Sequence, residues 1–269
     1  MVKTKIQIPT FLIPYENKKL IRLGNDYDGG YLVDEQTVHD SQYLISIGIG
    51  YDWSFEKHFY KLNKCNVFSY DGSVGSKFFS AKIKHRIKSF LKVPTFNYLK
   101  KTIWWILLPL RFYYFFSNLG ISSKIKHNEL FVSNDHLNEK QENCIGIDEI
   151  FNNLPIEAKV FLKIDIEGAE YALLDSIIKV QSRLTSLAIE FHNLDDDRYL
   201  ELESFINSFD LVLSHTHVNI AGKINNNNMA SVIELTFVRD LEKGNKVENL
   251  PHSLDMDSFP NNIDYEITF

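Results

Sequence analysis

One run of the sequence places a lysine and two carboxylates at alternate positions just before a glycine. Residues 161–166 are mostly apolar, charged side chains alternate with isoleucines at the end of the run, and Gly168 follows. This pattern predicts a buried strand with Lys163, Asp165 and Glu167 on one side. Because open α/β sheets bind ligands at the carboxyl ends of their strands, we expect chemistry here. The alternative is structural: one carboxylate caps the next helix and the other is solvated.

Carboxylates and imidazoles also follow two later strand patterns. Glu190 and His192 end one apolar run, and His215 and His217 lie in the next. Alternation puts the members of each pair on one face. Asp165, Glu190 and His217 together suit a divalent cation such as magnesium, manganese or zinc. The metal-free alternative uses His192 or His217 as general base, and a purely structural role at strand ends is the third interpretation.

A glycine turn follows the first long strand pattern, which ends at Ile47. Gly48 and Gly50 allow the backbone to approach a ligand. Asp71 ends the next strand, where an acid typically accepts hydrogen bonds from ribose hydroxyls. A dinucleotide site needs a third small residue in the turn, and Trp53 stands there instead. The pattern therefore favours S-adenosylmethionine, which has a ribose and an adenine but no phosphate.

The amino end of such a cofactor needs a carboxylate, and Ser46 occupies the position where methyltransferases often carry one. Asp26 or Asp28 can provide it from an Asp-Gly-Gly-Tyr turn that includes Gly29. Asp52, directly after the glycine turn, is a further candidate for cofactor binding. The alternative for the Asp-Gly-Gly-Tyr turn is an ordinary hairpin.

The elements that must position these residues alternate between strand and helix patterns. Apolar runs predict five strands, at residues 42–47, 66–70, 129–132, 160–166 and 184–191. Helix patterns lie at residues 54–62, 147–151, 169–178 and 195–209. Two closing strands, 211–220 and 231–238, leave no room for a helix between them and should pair antiparallel. We predict an α/β fold of the Rossmann-like class I methyltransferase type: a mostly parallel seven-stranded sheet with one antiparallel strand and helices on both faces.

Composition sets the broad class. The chain has 269 residues, 44% of them apolar, which predicts a single packed domain over residues 1–269. A net charge of −6 argues against a nucleic-acid binder. Cys65 and Cys144 have no metal-site spacing, and residues 1–5 show no signal-peptide core. With no apolar run of about 20 residues, we expect a cytoplasmic protein without a spanning helix.

The charge is unevenly distributed. Residues 77–126, termed the basic segment, contain eleven Lys and Arg and no Asp or Glu, so the remainder has 18 basic and 35 acidic residues, a net of −17. We interpret this aromatic-rich segment as an insertion. Three interpretations of its role compete: an acceptor platform that binds phosphate or nucleotide diphosphate, a membrane-surface element through residues 96–116, or a core and homodimer surface. Pro109 and Arg111 interrupt its apolar run, which excludes a spanning helix.

The motifs together resemble the FkbM-type methyltransferases. The resemblance rests mainly on the run Lys-Ile-Asp-Ile-Glu-Gly at residues 163–168. It extends to the Asp-Gly-Gly-Tyr turn, the glycine turn, and the runs at residues 189–192 and 215–219. It covers roughly residues 20–75 and 128–240. The basic segment departs from the shorter family pattern.

The resemblance implies S-adenosylmethionine as methyl donor and an oxygen on a sugar, polyketide or similar acceptor, in bacterial surface-polysaccharide synthesis. We therefore expect an O-methyltransferase acting on a sugar or sugar-derived, nucleotide-linked acceptor. Asp165 is expected at the reaction centre and Glu167 beside the cofactor or its turn. An N-methyltransferase acting on an amino sugar or a phosphoramidate-like group is one alternative. A non-catalytic partner in glycan assembly at the inner face of the membrane is another.

Overall fold

The computed structural model describes residues 5–116, 124–134, 143–220, 222, 224, 228–259 and 265–269. Residues 117–123 of the basic segment and residues 225–227 of the asparagine-rich stretch lie outside these ranges. The strands are β1 (Lys5–Gln7), β2 (Leu20–Leu23), β3 (Tyr31–Asp34), β4 (Tyr43–Ile47), β5 (Asn66–Tyr70), β6 (Ile125–Asn128), β7 (Phe131–Val132), β8 (Cys144–Ile145), β9 (Val160–Ile164), β10 (Leu184–Phe191), β11 (Val212–Val218), β12 (Ile233–Val238) and β13 (Glu266–Thr268). The α-helices are α1 (Glu35–Asp40), α2 (Ser54–Asn63), α3 (Ser76–Lys92), α4 (Phe96–Phe116), α5 (Ile147–Asn152), α6 (Leu174–Val180) and α7 (Asp196–Ser208).

Seven of these strands form the central sheet, in the order β11-β12-β10-β9-β4-β5-β6. Strand β12 runs antiparallel to both β10 and β11, and every other neighbouring pair is parallel. The prediction of a class I methyltransferase sheet with one reversed strand is therefore confirmed. The carboxyl ends of β4, β9 and β10 meet at one edge, where ligands bind in open α/β sheets.

Helices cover both faces of the sheet. The side chains of each strand point alternately to the two faces, and on each face they pack with helices into a separate hydrophobic core. On β9, Leu162 packs into a core shared with α5, α6 and α7, whereas Phe161 faces α2. The second core continues into α3 and α4 through Phe79 and Phe112. Strands buried on both faces read as near-continuous apolar runs, which is why the sequence indicated them clearly.

Three predictions of element position are wrong. The third strand of the sheet is β6, not residues 129–132, of which only 131–132 form a strand, paired with β8. Strand β9 ends at Ile164, so Asp165 and Glu167 lie in the following loop. The predicted helix at residues 169–178 begins as a 3-10 turn, Glu170–Leu173, before α6.

The basic segment contributes two packed helices between β5 and β6. Helices α3 and α4 form a hairpin, and α4 continues through Pro109 without ending there. No helix in the described part of the chain is both long and apolar enough to cross a membrane.

Candidate active site

The glycine turn is pressed against the loop that follows β9. Gly48 has φ +76°, and a Cβ added there would lie 1.7 Å from the carbonyl oxygen of Asp165. The backbone NH of Asp165 in turn donates to the carbonyl of Ile47 at 2.9 Å. Gly50 has φ +53°, and its added Cβ would meet no atom within 4 Å. The turn is therefore tight on its inner side and open on its outer side.

Asp71 holds the shape of this turn. One carboxylate oxygen accepts hydrogen bonds from the backbone NH groups of Ile49 at 3.1 Å and Gly50 at 3.0 Å. The other accepts from the backbone NH of Ser73 at 2.8 Å and its hydroxyl at 2.6 Å. Four donors use the lone pairs of this carboxylate, so a ribose hydroxyl at Asp71 would have to share or replace one of them.

The Asp-Gly-Gly-Tyr turn joins β2 to β3 and lies beside the glycine turn. A Cβ on Gly29 would approach Asp52 Oδ2 to 3.2 Å. Asn25 Nδ2 donates to that same oxygen, and Ser54 NH donates to Asp52 Oδ1 at 2.9 Å. Asp28 points elsewhere and accepts a hydrogen bond from Asn219 at 3.3 Å. The structure thus puts Gly29 and Asp52 beside the glycine turn and Asp28 with a second group of acids.

A buried acid from α2 lies beneath the glycine turn, close to the serine that precedes it. Ser46 donates to Glu56 Oε1 at 2.5 Å, and Glu56 is 1% exposed. Burial raises the pKa of Glu56, although Lys163 and the Ser46 hydrogen bond act to lower it. This contact was not predicted, because it depends on how α2 packs against β4.

Four carboxylates form what we term the acidic cluster: Asp28, Asp165, Glu190 and Glu234. The single hydroxyl of Tyr31 lies within hydrogen-bond distance of two of them, 3.1 Å from Asp165 and 3.3 Å from Glu190. Asn219 donates to Glu190 at 3.0 Å, and Lys163 lies 3.6 Å from Asp165. Burial, followed by the charges of Asp165 and Glu234, raises the pKa of Glu190 well above its ordinary value. Burial and these charges therefore favour the protonated form of the Glu190 carboxyl.

Lys163 is the cation at the base of the acidic cluster. Its Nζ also donates to the carbonyl of Gly48 at 3.1 Å, and the side chain is buried. Burial alone would lower its pKa, but Asp165, Glu56 and Glu190 outweigh burial and raise it. Lys163 therefore stays charged and ties the glycine turn to the cluster.

His192 faces the cluster and is held by a buried acid. Its Nδ1 lies 2.9 Å from Glu170 Oε1, and its Nε2 lies 3.9 Å from Glu190 and 3.6 Å from Glu167. Burial lowers the pKa of His192, but the Glu170 hydrogen bond and the charges of Glu190, Glu170 and Asp165 raise it to about 9. The carboxylate can only accept, so Nδ1 donates and Nε2 is the nitrogen that exchanges a proton.

A sharp turn brings Glu170 under His192. Glu167 has φ +58° and Gly168 has φ +111°, two successive left-handed residues that reverse the chain after Asp165. Glu170 then accepts from the backbone NH groups of Ile166 at 3.3 Å and Gly168 at 3.0 Å. Glu167, predicted to support the cofactor or its turn, has an 87% exposed side chain near His192.

The two predicted histidines of β11 are paired with acids other than Asp165. His217 Nδ1 is 3.4 Å from Glu234, its antiparallel neighbour in β12. His215 Nε2 is 3.0 Å from Asp255, beside a separate cavity of about 440 Å³. Among the described residues, the acids and imidazoles spaced for a cation are Asp165, Glu190 and His192, and Asp28, Glu190 and Glu234. The predicted combination of Asp165, Glu190 and His217 is therefore not the one that the structure brings together.

A second cavity opens beside the glycine turn, between Tyr51 and the side of the α3–α4 hairpin. It measures about 430 Å³ and has three cationic and three aromatic side chains along its wall: Tyr51, Arg86, Lys100, Lys101, Trp104 and Trp105. The ring of Tyr51, the residue after Gly50, lies 5.7 Å from the ring of Trp105. The cavity therefore adjoins the turn and carries positive charge, in contrast to the acidic cluster.

The family comparison agrees with this geometry. Residues 96–217 match the family model of the methyltransferase FkbM domain, a span that includes Asp165, Glu190 and His192. This match covers somewhat less than half of the chain, which is therefore similar to the methyltransferase FkbM domain over that span. The resemblance predicted from the sequence is confirmed, and so is the class of enzyme, an S-adenosylmethionine-dependent methyltransferase. The matched span begins inside the basic segment, within α4, and does not include the glycine turn.

The solved structures that resemble this chain are distant in sequence. An rRNA methylase from Streptococcus thermophilus is 12% identical with a TM-score of 0.38, covering 76% of this chain and 93% of its own. A precorrin-6y C5,15-methyltransferase from Geobacter metallireducens is 14% identical with a TM-score of 0.37, covering 77% and 86%. Similarity this low carries no argument about substrate, and the strand order itself establishes the fold. Curated proteins give no match.

Several residues of the candidate site were not predicted to act there. Tyr31 and Asn219 lie within motifs that carried the resemblance, so their positions were signalled although their contacts were not. Glu170 follows the Lys-Ile-Asp-Ile-Glu-Gly run by two residues. Glu234 and Glu56 had no signal, because a strand register and a helix packing bring them in.

Proposed function

We propose that this enzyme transfers a methyl group from S-adenosylmethionine to a hydroxyl oxygen of a sugar or sugar-derived acceptor, in the synthesis of a surface polysaccharide. The observation that carries the proposal is the convergence of His192, Asp165 and Glu190 beside an open glycine turn. A hydroxyl that receives a methyl group must lose its proton, and these side chains hold or accept protons.

The residues present fit S-adenosylmethionine. The backbone at Gly50 is open to a ligand, and the acidic cluster adjoins the turn through Lys163. Carboxylates attract the sulfonium and ammonium cations of this molecule. When bound, the cofactor supplies the methyl group and adds positive charge near the cluster. Gly48, Gly50, Asp52 and Asp71 are the residues that we assign to holding it.

His192 is the base in this proposal. Its Nδ1 donates to Glu170, which fixes the ring and leaves Nε2 directed toward Glu190 and the cluster. Neutral Nε2 accepts the proton of an acceptor hydroxyl that lies within hydrogen-bond reach. Because acidic neighbours raise the pKa of His192 to about 9, positive charge arriving in the site favours the neutral form that the reaction needs.

Asp165 and Glu190 position the acceptor. Burial and the neighbouring charges raise the pKa of Glu190, which favours a protonated carboxyl that can donate to an acceptor oxygen. A site that offers both donor and acceptor oxygens suits the neighbouring hydroxyls of a sugar ring. Protein groups already hold both side chains, because the Tyr31 hydroxyl lies within hydrogen-bond distance of each and Asn219 donates to Glu190. For this reason we assign proton transfer to His192 rather than to a divalent cation bound by Asp165, Glu190 and His192.

The basic cavity on the side of the hairpin supports a phosphate-bearing acceptor. Arg86, Lys100 and Lys101 offer cationic donors, and Trp104 offers an aromatic face for a sugar or a base. A nucleotide-linked sugar carries both groups. Its phosphates would then lie by the basic cavity and its sugar by the acidic cluster, with the glycine turn between them.

The test is methyl transfer to a panel of nucleotide sugars, alongside calorimetric titration with S-adenosylmethionine. We expect His192→Gln to lower kcat by roughly 100-fold or more with cofactor affinity retained. The matched control His39→Gln, an exposed histidine on α1, should leave kcat unchanged. Failure of the wild-type protein to bind S-adenosylmethionine would remove the methyl-transfer proposal, and an unchanged kcat in His192→Gln would remove the assignment of the base.

A further inference from the structure

The outer face of the α3–α4 hairpin is unusually apolar. Thirteen of the 22 exposed large apolar and aromatic side chains of the described residues fall between residues 87 and 114. Every residue from Leu91 to Lys101, around the tip of the hairpin, is exposed. Exposed apolar surface this dense marks an interaction site in a water-soluble domain.

These side chains form one stripe on α4. Phe96, Ile103, Leu107, Leu110 and Tyr114 follow one another at intervals of seven, four, three and four residues, which places them on the same face of a helix. They are between 40% and 69% exposed. The opposite face carries the buried residues of the helix: Thr102, Trp105, Leu108, Phe112, Phe115 and Phe116. The stripe therefore has no partner among the described residues and is held outward by a well-packed inner face.

The charge beside the stripe is entirely positive. Lys92, Lys100, Lys101 and Arg111 are exposed on the same hairpin, and the basic segment has no Asp or Glu in any position. The rest of the chain carries a net charge of −17. If the hairpin docked on that part of a second copy, it would meet mostly negative surface and, among the described residues, no matching apolar stripe. Trp104, Tyr113 and Tyr114, at 40%, 42% and 62% exposed, are the residue types that favour the boundary between water and lipid.

We propose that the α3–α4 hairpin docks on the surface of an anionic lipid bilayer. The apolar stripe and the tip residues Leu91 and Phe96 enter the boundary between headgroups and acyl chains, and the lysines lie at the level of the anionic headgroups. The hairpin lies on the bilayer and does not cross it. The apolar stripe and the tip residues lie outside the basic cavity, whereas Lys100, Lys101 and Trp104 also line it, so the test below uses no acceptor.

The experiment is vesicle flotation of the full chain without cofactor or acceptor. We expect binding to vesicles of phosphatidylcholine with phosphatidylglycerol, much weaker binding to phosphatidylcholine alone, and loss of binding at high salt. The variant Leu91→Gln/Phe96→Gln/Leu110→Gln should bind at least roughly tenfold more weakly. The matched control Ile156→Gln/Leu200→Gln/Leu254→Gln, three exposed apolar residues elsewhere, should bind as the wild type does.

Charge is tested separately with Lys88→Glu/Lys92→Glu against Lys57→Glu/Lys61→Glu, two exposed lysines of α2. Only the first pair should weaken flotation, and circular dichroism should show all variants folded. Absence of wild-type flotation with anionic vesicles would overturn the proposal. So would a dimer in analytical ultracentrifugation that the triple hairpin variant converts to a monomer, because a second copy would then cover the stripe.

Discussion

Glu170 is the residue whose removal tests the electrostatics of the site most directly. It is fully buried, and one of its oxygens accepts hydrogen bonds from His192 Nδ1 and from the backbone NH groups of Ile166 and Gly168. Burial acts to raise the pKa of Glu170, but the His192 hydrogen bond and the backbone donors outweigh it and lower that pKa. Glu170 is therefore ionised at neutral pH and is a positioning residue that acts through His192.

The size of the effect follows from the pKa of His192, which rises from 6.5 to about 9. At about 1.36 kcal/mol per unit, this shift corresponds to about 3.4 kcal/mol of preference for the charged imidazole. A hydrogen bond to a charged partner contributes about 1.5–3 kcal/mol, so Glu170→Gln should remove roughly one to two units of the shift. We expect His192 in the variant to titrate at roughly pH 7–8 on the same arithmetic.

The assay is an NMR titration of the imidazole nitrogens, with unfolding by urea at two pH values. The folded-state pKa of His192 lies above its unfolded value. Its contribution to stability is therefore complete below pH 6.5 and is lost as the pH rises through about 9. The wild-type protein should exceed Glu170→Gln in unfolding free energy by more at pH 6.5 than at pH 9.5. The pH above which kcat/KM reaches its plateau should fall in Glu170→Gln by roughly one to two units, the same decrease as in the pKa of His192.

The matched control is Glu167→Gln. Glu167 also approaches His192, at 3.6 Å from Nε2, but its side chain is 87% exposed and water screens its charge. It should shift the pKa of His192 by a few tenths of a unit, on the order of an exposed ion pair. A wild-type His192 that titrates near its ordinary value would refute the reasoning, as would equal shifts in the two variants.

Three further outcomes are expected. Lys163→Met should destabilise the fold by about 3–5 kcal/mol in urea unfolding, because it leaves Asp165 without its buried cation. Lys179 is exposed, so Lys179→Met should cost less than about 1 kcal/mol. Equal losses in the two variants would contradict this prediction. Gly48→Ala should strongly lower the melting temperature through its backbone clash, and Gly50→Ala should fold at a cost of about 1–2 kcal/mol but bind S-adenosylmethionine more weakly in calorimetry. Methyl transfer should survive a chelator; loss of activity that returns with a divalent ion would reassign the acidic cluster as a metal site.

The sheet was predictable because its central strands are buried on both faces. Strands such as β9, with every residue buried, form near-continuous apolar runs that a sequence displays directly. Helix α7 was predictable from its start, because Asp195 caps it by accepting from the backbone NH of Arg198. The edge strand β6 was missed because it pairs only with β5 and has a single fully buried side chain, Ile125.

The site was predictable residue by residue but not contact by contact. Asp165, Glu190 and His192 lie at or just beyond the ends of β9 and β10, two strands that were predicted from the sequence. The two strands are neighbours in the sheet, which brings these ends together. The placement of His217 depended on the register of β11 against β12, which pairs it with Glu234. A period of two tells which face a residue occupies, and it does not tell which residue lies opposite.

The hairpin packs directly against the nucleotide end of the sheet. The basic segment is inserted between β5 and β6 in sequence, and it shares a hydrophobic core with the glycine turn. Trp53 stands where a dinucleotide site needs a small residue, and its ring lies 5.3 Å from Phe112 and 6.3 Å from Phe116 on the inner face of α4. Phe112 also contacts Phe79 of α3 at 5.1 Å. The indole that argues against a pyrophosphate cradle is therefore the surface on which α4 packs. A small residue at position 53 would open the turn to phosphate and, at the same time, take away the support of the helix that carries the exposed stripe.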